Sequence, residues 1–416
     1  MGRRLVVIGN GMAGGKLLEE LALACPGKYE ITVFGNEPYG NYNRIMLSPL
    51  LAGDKTLDDI MLNGREWYAA NGFNLQAGAD KAVVAINRGR KTVQCADGSE
   101  TPYDKLVIAT GSNPYFLPVE GNDLQGVMGF RAITDVNRML SAVGEGKNAV
   151  VIGGGLLGLE AAVGLAGRGM QVTVVHHNAT LLNRQLDAYA ANLLEENLRS
   201  RGIHFKKPAD TAKLSGSNGK LEHIHFADGS SQPADLVIMA LGIRPNIRLA
   251  QEAGLFCKSG IVVSDSLQSY DPSIYALGEC IEHRGATFGL VAPLYDQAKV
   301  LANHLSEHGV AQYKTLPTAT KLKVTGIHLF SVGNFSGTDS SENLIYKDPA
   351  NAIYKKLVID NNRLIGAVAY GDTSEGSFYS ELVESARDIC DLRPYLMFGR
   401  ALCEQMAGTP VMENAA

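Results

Sequence analysis

Two copies of one glycine pattern, starting at Gly9 and Gly153 and so 144 positions apart, constrain this chain more than any other feature. The first follows Leu5-Val6-Val7-Ile8 and reads Gly9-Asn10-Gly11-Met12-Ala13-Gly14; the second follows Val150-Val151-Ile152 and reads Gly153-Gly154-Gly155-Leu156-Leu157-Gly158. Each is an apolar strand running into G-x-G-x-x-G and then a helical pattern. In that context the glycines allow a tight turn, close approach of backbone to a pyrophosphate, and close helix–strand packing. The phosphates then rest on a helix N-terminus, where free N–H groups and the dipole favour negative charge. A single glycine-rich turn often has only a structural cause. Two in the same context imply two bound dinucleotides, with hydride passing from one to the other.

At 416 residues, the chain has room for two or three domains. A net charge of −5 argues against a nucleic-acid or anionic-membrane surface. Six scattered cysteines (25, 95, 257, 280, 390 and 403) form no C-x-x-C pair, so no metal site is expected, and reduced thiols in a cytoplasmic protein are. The opening Met1-Gly2-Arg3-Arg4 mimics a signal peptide, but the glycine turn interrupts the apolar run, which reads as a first strand. The apolar stretch from 149 to 167 contains Glu160 and six glycines, so it reads as the second nucleotide unit and not as a membrane span.

Along the chain, a first helix is expected over Lys16 to Ala24. Alternating strands are expected over 81–86 and 91–95, a buried strand over 103–109, a hairpin over 213–226, a strand over 234–241 and a long helix over 293–304. From Lys321 the texture changes to antiparallel strands (321–332 and 354–370, turning at Asn361-Asn362), then helices over 376–388 and 396–406. The expected fold is α/β, with two Rossmann-like dinucleotide-binding domains plus a C-terminal α+β domain. The expected limits are 1–113 with 247–316, then 114–246, then 317–416.

The order of the two fingerprints, Ala109-Thr110-Gly111, Ala240-Leu241-Gly242 and Tyr275-Ala276-Leu277-Gly278 resembles that of the two-dinucleotide-binding-domain flavoprotein reductases. Asn41-Tyr42-Asn43-Arg44-Ile45-Met46-Leu47-Ser48, Arg184-Gln185-Leu186-Asp187, the stretch from Gly278 to Gly285, the stretch from Gly289 to Tyr295 and Lys321-Leu322-Lys323-Val324-Thr325-Gly326 sharpen the likeness. They resemble the flavin part of assimilatory nitrite reductase large subunits and the electron-transfer subunit of assimilatory nitrate reductases. The iron–sulfur and siroheme modules that follow in the longer nitrite reductases are absent from this sequence.

The resemblance implies FAD at the first fingerprint, held by Gly9, Gly11, Met12, Ala13 and Gly14, with Ser48, Val83, Ala109, Thr110 and Gly111 around it. Glu37 stands in for the usual ribose-binding acid, against the plainer reading of a surface carboxylate. Arg44 resembles the arginine that reaches the flavin diphosphate. Gly278 and Glu279 stand where many relatives have Gly-Asp, whose carboxylate accepts from ribityl hydroxyls. Leu294 resembles the residue whose backbone meets the pyrimidine edge, at a helix N-terminus. The second fingerprint (Gly153, Gly155, Leu156, Leu157, Gly158), with Gly242, is expected to take NADH. NADPH stays open: the position of the ribose acid holds His176, which when protonated would suit a phosphate, or is simply a loop histidine. Glu160 resembles the glutamate near nicotinamide and flavin, and is the candidate for the catalytic position.

Disulfide reductases need a thiol beside the flavin, and no cysteine lies between Tyr39 and Ser48. The electrons are therefore expected to leave one at a time, to an iron–sulfur or molybdenum redox partner such as a nitrate reductase catalytic subunit. Two alternatives remain: a rubredoxin- or ferredoxin-type reductase, and a non-enzymatic FAD/NAD-binding regulator. Phe378, Tyr379, Tyr395 and Phe398 are docking candidates in the C-terminal domain, each with core packing as its alternative.

Overall fold

The computed structural model describes residues 2–315, 320–324 (as backbone) and 326–406. Contacts divide the chain into two compact units: Met1–Tyr115 with Arg131–Arg138 and Gly242–Leu316, and Phe116–Phe130 with Met139–Leu241 and Pro317–Ala416. The units differ from the sequence-based limits: residues 114–115, 131–138 and 242–246 group with the first unit, and the expected C-terminal domain groups with the second. Residues 131–138 group with the first unit, where Arg131 is ion-paired to Glu279. Ile243–Pro245 also groups there, as the antiparallel partner of Ser112–Pro114.

The first unit is built on a parallel sheet in the order Ile274–Ala276, Lys105–Ile108, Arg3–Ile8, Tyr29–Gly35, Asn74–Ala77. Numbered along the chain, that is 5-4-1-2-3, the order of a dinucleotide-binding half. Leu5, Val7, Val33, Leu106, Val107, Ile108 and Ile274 are fully buried, as strands covered on both faces require. The fingerprint helix Met12–Ala24 buries Leu17, Leu18 and Leu21 and packs against the long helix Val291–Leu305. It starts at Met12, four residues before the expected start, because Gly14 and Gly15 belong to its first turn.

The second unit repeats this plan over the sheet Val127–Gly129, Leu236–Met239, Asn148–Ile152, Gln171–Val175, Ile203–Lys206. The repetition goes deeper than the fingerprints. Counted from the fingerprint strand, each unit carries a three-stranded antiparallel sheet between its third and fourth parallel strands: Val83–Asn87, Thr92–Cys95 and Glu100–Pro102 in one, Thr211–Ser217, Lys220–Phe226 and Ser231–Pro233 in the other. Even the polar ties recur. Asp104 accepts from the Arg4 amide at 2.8 Å, and Asp235 from the Asn148 amide at 2.9 Å. One strand differs: the edge strand beside the fourth comes from downstream in the first unit (Ile274–Ala276) and from upstream in the second (Val127–Gly129).

The C-terminal part of the second unit holds an antiparallel sheet in the order Thr320–Val324, Ile327–Gly333, Arg363–Tyr370, Ile353–Asp360, Glu342–Asp348. Asn361 and Asn362 have φ of 47° and 54°, the left-handed pair that a two-residue hairpin turn needs. Glu342–Asp348 was not legible, because an exposed edge strand carries no apolar alternation. The helix expected over 376–388 ends at Ser385, before left-handed Ala386, and Gly399 at φ 92° splits the second into a turn and Arg400–Met406. Residue 316, and residues 317–319, 325 and 407–416 of the expected C-terminal domain, lie outside the described residues.

Of the four docking candidates, Phe378 and Tyr379 are buried in this domain's core with Phe330, Leu382 and Leu396, and Tyr395 packs partly buried against it. Only Phe398 is fully displayed, at 71% exposure. Among the described residues no helix is long and apolar enough to cross a membrane.

Asp187, from one of the sequence motifs, fastens the C-terminal sheet. One carboxylate oxygen caps the helix Ala188–Ser200 through the Ala190 amide at 3.0 Å, and the other accepts from the Tyr354 hydroxyl at 2.6 Å. The Tyr354 ring also lies 4.8 Å from that of Tyr189. Tyr354→Phe keeps the ring and the cap but leaves that oxygen with only the longer ion pair to Lys356 at 4.0 Å. It is expected to cost about 1.5–3 kcal/mol, the range for a hydrogen bond to a charged group, read as a lowered thermal midpoint of the second unit.

Candidate nucleotide sites

The three glycines of each fingerprint do different work, and the structure separates them. A methyl group on Gly9 would lie 2.1 Å from the Ala109 carbonyl oxygen, and one on Gly14 would lie 2.1 Å from the Gly9 carbonyl oxygen. In the second unit, Gly153 would meet the Ala240 oxygen at 2.3 Å and Gly158 the Gly153 oxygen at 2.1 Å. These four are glycines because backbone presses on backbone. The middle glycines have no such reason. Around Gly11 the nearest atom is Arg44 Nε at 3.7 Å, and around Gly155 nothing lies within 4 Å. Both have ordinary extended conformations, with φ of −83° and −84°.

Nothing within the fold requires a glycine at these two positions. The open space at these two helix N-caps leaves room for a group to approach the backbone closely. Both helices begin with no side-chain cap and no acidic residue in the first turn, so their amides are directed at that space. The cradle fits a pyrophosphate in both units.

Around the first cradle lies an alternating row of charges. Glu37 accepts from Arg44 Nη2 at 2.8 Å and from the Tyr42 hydroxyl at 2.9 Å. Arg44 also donates to the Arg131 carbonyl at 2.8 Å and lies over the Tyr42 ring. Arg131 pairs with Glu279, whose Oε2 also accepts from Ser112 Oγ at 2.9 Å. Asp135 fixes Arg131 by accepting from its amide at 2.8 Å. Burial pushes the Tyr42 phenol far above its ordinary value, with Arg44 opposing.

Gly111, at φ 67°, borders the same group: a methyl there would lie 3.7 Å from Arg131 Nη2 and 3.9 Å from Glu279 Oε2. Thr110 Oγ1 donates to the Asn246 carbonyl at 2.7 Å. Met12 and Ala13 are buried in the fingerprint helix, and the Ala109 amide donates to Ile8 O at 2.7 Å. Leu294 is buried in the first turns of Val291–Leu305. Ser48 is buried in the helix Leu47–Ala52, and Val83 pairs with Cys95 in the small antiparallel sheet.

The structure thus brings Glu37, Arg44, Gly111 and Glu279 together, and adds Arg131, which the sequence reading missed. A lone arginine before a helix carries no signal in the sequence.

In the second unit, His176 ends the strand Gln171–Val175 and accepts the Gly154 amide on Nδ1 at 3.1 Å. Its neutral form therefore carries the proton on Nε2. Burial pushes its pKa below the ordinary value, against a smaller opposing pull from the Thr180 backbone. Leu156 is half-buried and Leu157 36% exposed at the helix start, and Glu160 is half-buried one turn further on. Gly242, grouped with the first unit, has φ 100°.

All six cysteines are free. Cys280, next to Glu279, is fully buried, donates to Leu277 O at 3.2 Å, and is pushed up to about 11 by burial.

Residues 3–310 match the family described as pyridine nucleotide-disulphide oxidoreductase. This chain belongs to that family. It is an oxidoreductase whose residues 318–387 also match the rubredoxin NAD+ reductase C-terminal domain. It is 44% identical over 389 residues to nitrite reductase [NAD(P)H] of Bacillus subtilis, covering 94% of this chain and 48% of that protein. It is 42% identical to the assimilatory nitrate reductase electron transfer subunit of the same organism, over 93% of this chain and 50% of that one. The chain thus spans about half the length of these two relatives. Among solved structures, a covalent putidaredoxin reductase–putidaredoxin complex aligns with TM-score 0.84 and 26% identity, covering 97% of this chain and 98% of that one.

The split between the glycines yields a sharp expectation. Gly14→Ala forces a methyl into backbone and is expected to destabilise the first unit by about 1–3 kcal/mol or more. Gly11→Ala is expected to shift stability by less than about 1 kcal/mol, yet to leave the purified protein nearly colourless. Thermal midpoint and flavin absorbance, measured on both variants, check this.

Proposed function

We propose that this chain is an FAD-dependent NADH:acceptor oxidoreductase of the cytoplasm. It would pass electrons to an iron–sulfur or molybdenum redox partner, the catalytic component of an assimilatory nitrate or nitrite reductase system. The observation that carries the reading is the room for close approach to the backbone at Gly11 and Gly155, each at the uncapped N-terminus of a helix, in a chain whose thiols are all free. The relatives named for nitrite and nitrate reduction support the choice of partner. A rubredoxin-type acceptor is the second reading. It is favoured by the C-terminal match and by a rubredoxin-NAD(+) reductase of Ectopseudomonas oleovorans, 34% identical over 70% of this chain and 75% of that protein.

In this reading Gly9, Gly11 and Gly14 admit the FAD pyrophosphate, and the amides of the Met12–Ala24 helix and Arg44 neutralise it. Glu279 accepts from hydroxyls of the bound cofactor, and Arg131 and Ser112 steady its carboxylate. Leu294 brings a helix N-terminus to the flavin ring. Bound FAD would supply the chemistry that joins a two-electron donor to a one-electron acceptor, so the chain itself would carry out little acid–base chemistry. Gly155 and the Leu156–Ala166 helix receive the second pyrophosphate, and Glu160 is the proposed group beside the nicotinamide. Cys280, neutral and buried, is no relay, in keeping with the empty thiol position between Tyr39 and Ser48.

The proposal is tested by mixing the NADH-reduced protein with candidate acceptors. Reoxidation by a nitrate or nitrite reductase catalytic component supports it, and reoxidation by rubredoxin alone selects the second reading. A variant with all six cysteines replaced by serine or alanine is expected to bleach with NADH within about twofold of the parent rate. A large loss traced to one cysteine would reinstate a disulfide mechanism.

The nucleotide preference has its own signature. A depressed pKa leaves His176 uncharged at neutral pH, so NADH is expected to be preferred. The NADPH-to-NADH ratio of bleaching rates should stay flat from about pH 7 to about pH 9 and rise only below the ordinary histidine value near 6.5. A ratio that climbs between pH 8 and 7, at roughly the range of an unperturbed or raised histidine, would refute this role.

A further inference from the structure

Gly278 stands two residues beyond Ala276, the end of the last strand of the first unit's sheet. Ala276 pairs with Ile108, the Leu277 amide donates to Ile108 O at 3.1 Å, and there the ladder stops. The Gly278 amide finds its acceptor in a side chain: Oε1 of Gln297, at 2.8 Å. Gln297 lies on the helix Val291–Leu305, one turn after Leu294, and is fully buried among Leu294, Ala298 and Leu301. A leucine or methionine would fill that place without the penalty of burying a carboxamide. The carboxamide is oriented by its neighbours, since its oxygen must face the Gly278 donor. Its amide nitrogen is buried with no hydrogen-bond partner among the described residues, so the carboxamide's one bond is the one to Gly278.

The peptide that Gln297 holds is under close constraint. Gly278 is left-handed, at φ 95°, and a methyl on it would lie 3.1 Å from Ala13 Cβ in the fingerprint helix. Two residues on, the Cys280 carbonyl accepts from the Ile261 amide at 2.8 Å. Glu279 is therefore suspended between two pinned backbone points. Its side chain, 10% exposed, reaches Ser112 and Arg131.

We propose that Gln297 is a positioning residue for Glu279, supplying the acceptor that the sheet no longer provides and so fixing the turn that aims this carboxylate at bound FAD. The inference rests on the reading that the first unit binds FAD through Glu279.

The test is FAD affinity of the full-length apoprotein, measured by quenching of flavin fluorescence. Gln297→Met preserves volume but removes the acceptor, and is expected to weaken binding about tenfold, since it leaves a buried amide unpaired. Gln297→Glu restores an acceptor and should recover affinity to within about threefold of the parent. In a Glu279→Ala background Gln297→Met should add less than about twofold, because the two residues act through one contact.

Parent-like affinity in Gln297→Met, or losses that multiply in the double variant, would overturn the positioning role while leaving FAD binding intact. A parent apoprotein that does not bind FAD would instead remove the functional reading, and this inference with it. Should Gln297→Met not fold, Gln297→Asn draws the oxygen back by one methylene and provides the same comparison.

Discussion

The contact on which each nucleotide unit depends is a backbone-on-backbone approach too close for any side chain. In the first unit the Cα of Gly14 lies over the Gly9 carbonyl, and Gly9 in turn lies against the Ala109 carbonyl. That stack sets the height of the fingerprint helix above the sheet. It therefore sets where the helix's free amides point and how far Gly11 stands from whatever they bind. The second unit repeats the stack through Gly158, Gly153 and Ala240. Helix, turn and strand end are thus locked together before any ligand contributes.

What could be read from the sequence follows the range of the interactions that encode it. The fingerprints, their strands and the Asn361-Asn362 turn are local patterns, and they were legible because sterics act between near neighbours. The edge strand Glu342–Asp348 was not, because its apolar residues do not alternate between a buried and a wet face. Phe378 and Tyr379 show the opposite difficulty. Their apolar character was evident, but whether a helix face meets a partner or its own core depends on the distant Phe330 and Leu396.

The candidate sites divide in the same way. Gly11, Arg44, Gly111 and Glu279 sit in recognisable stretches. Arg131 is joined to them only by the fold, across 148 positions to Glu279. Gln297 is harder still. A glutamine in a helix is ordinary until the structure shows it fully buried, with its oxygen on a glycine amide. Long-range polar contacts made by common residue types leave no imprint on local pattern.

The one unmatched strand in the duplication has a consequence for how the chain comes off the ribosome. The parallel sheet of the second unit is assembled from strands that follow one another between Val127 and Met239. That of the first waits for Ile274–Ala276, which is made only after the whole of the other sheet. Synthesis is vectorial, and a domain closes when its last element emerges. The sheet begun first is therefore completed second, and Lys105–Ile108 spends the interval as an open edge. The turn that carries Gly278 and Glu279 follows directly on that last strand. The first unit's parallel sheet gains its last strand only after every parallel strand of the second has been made.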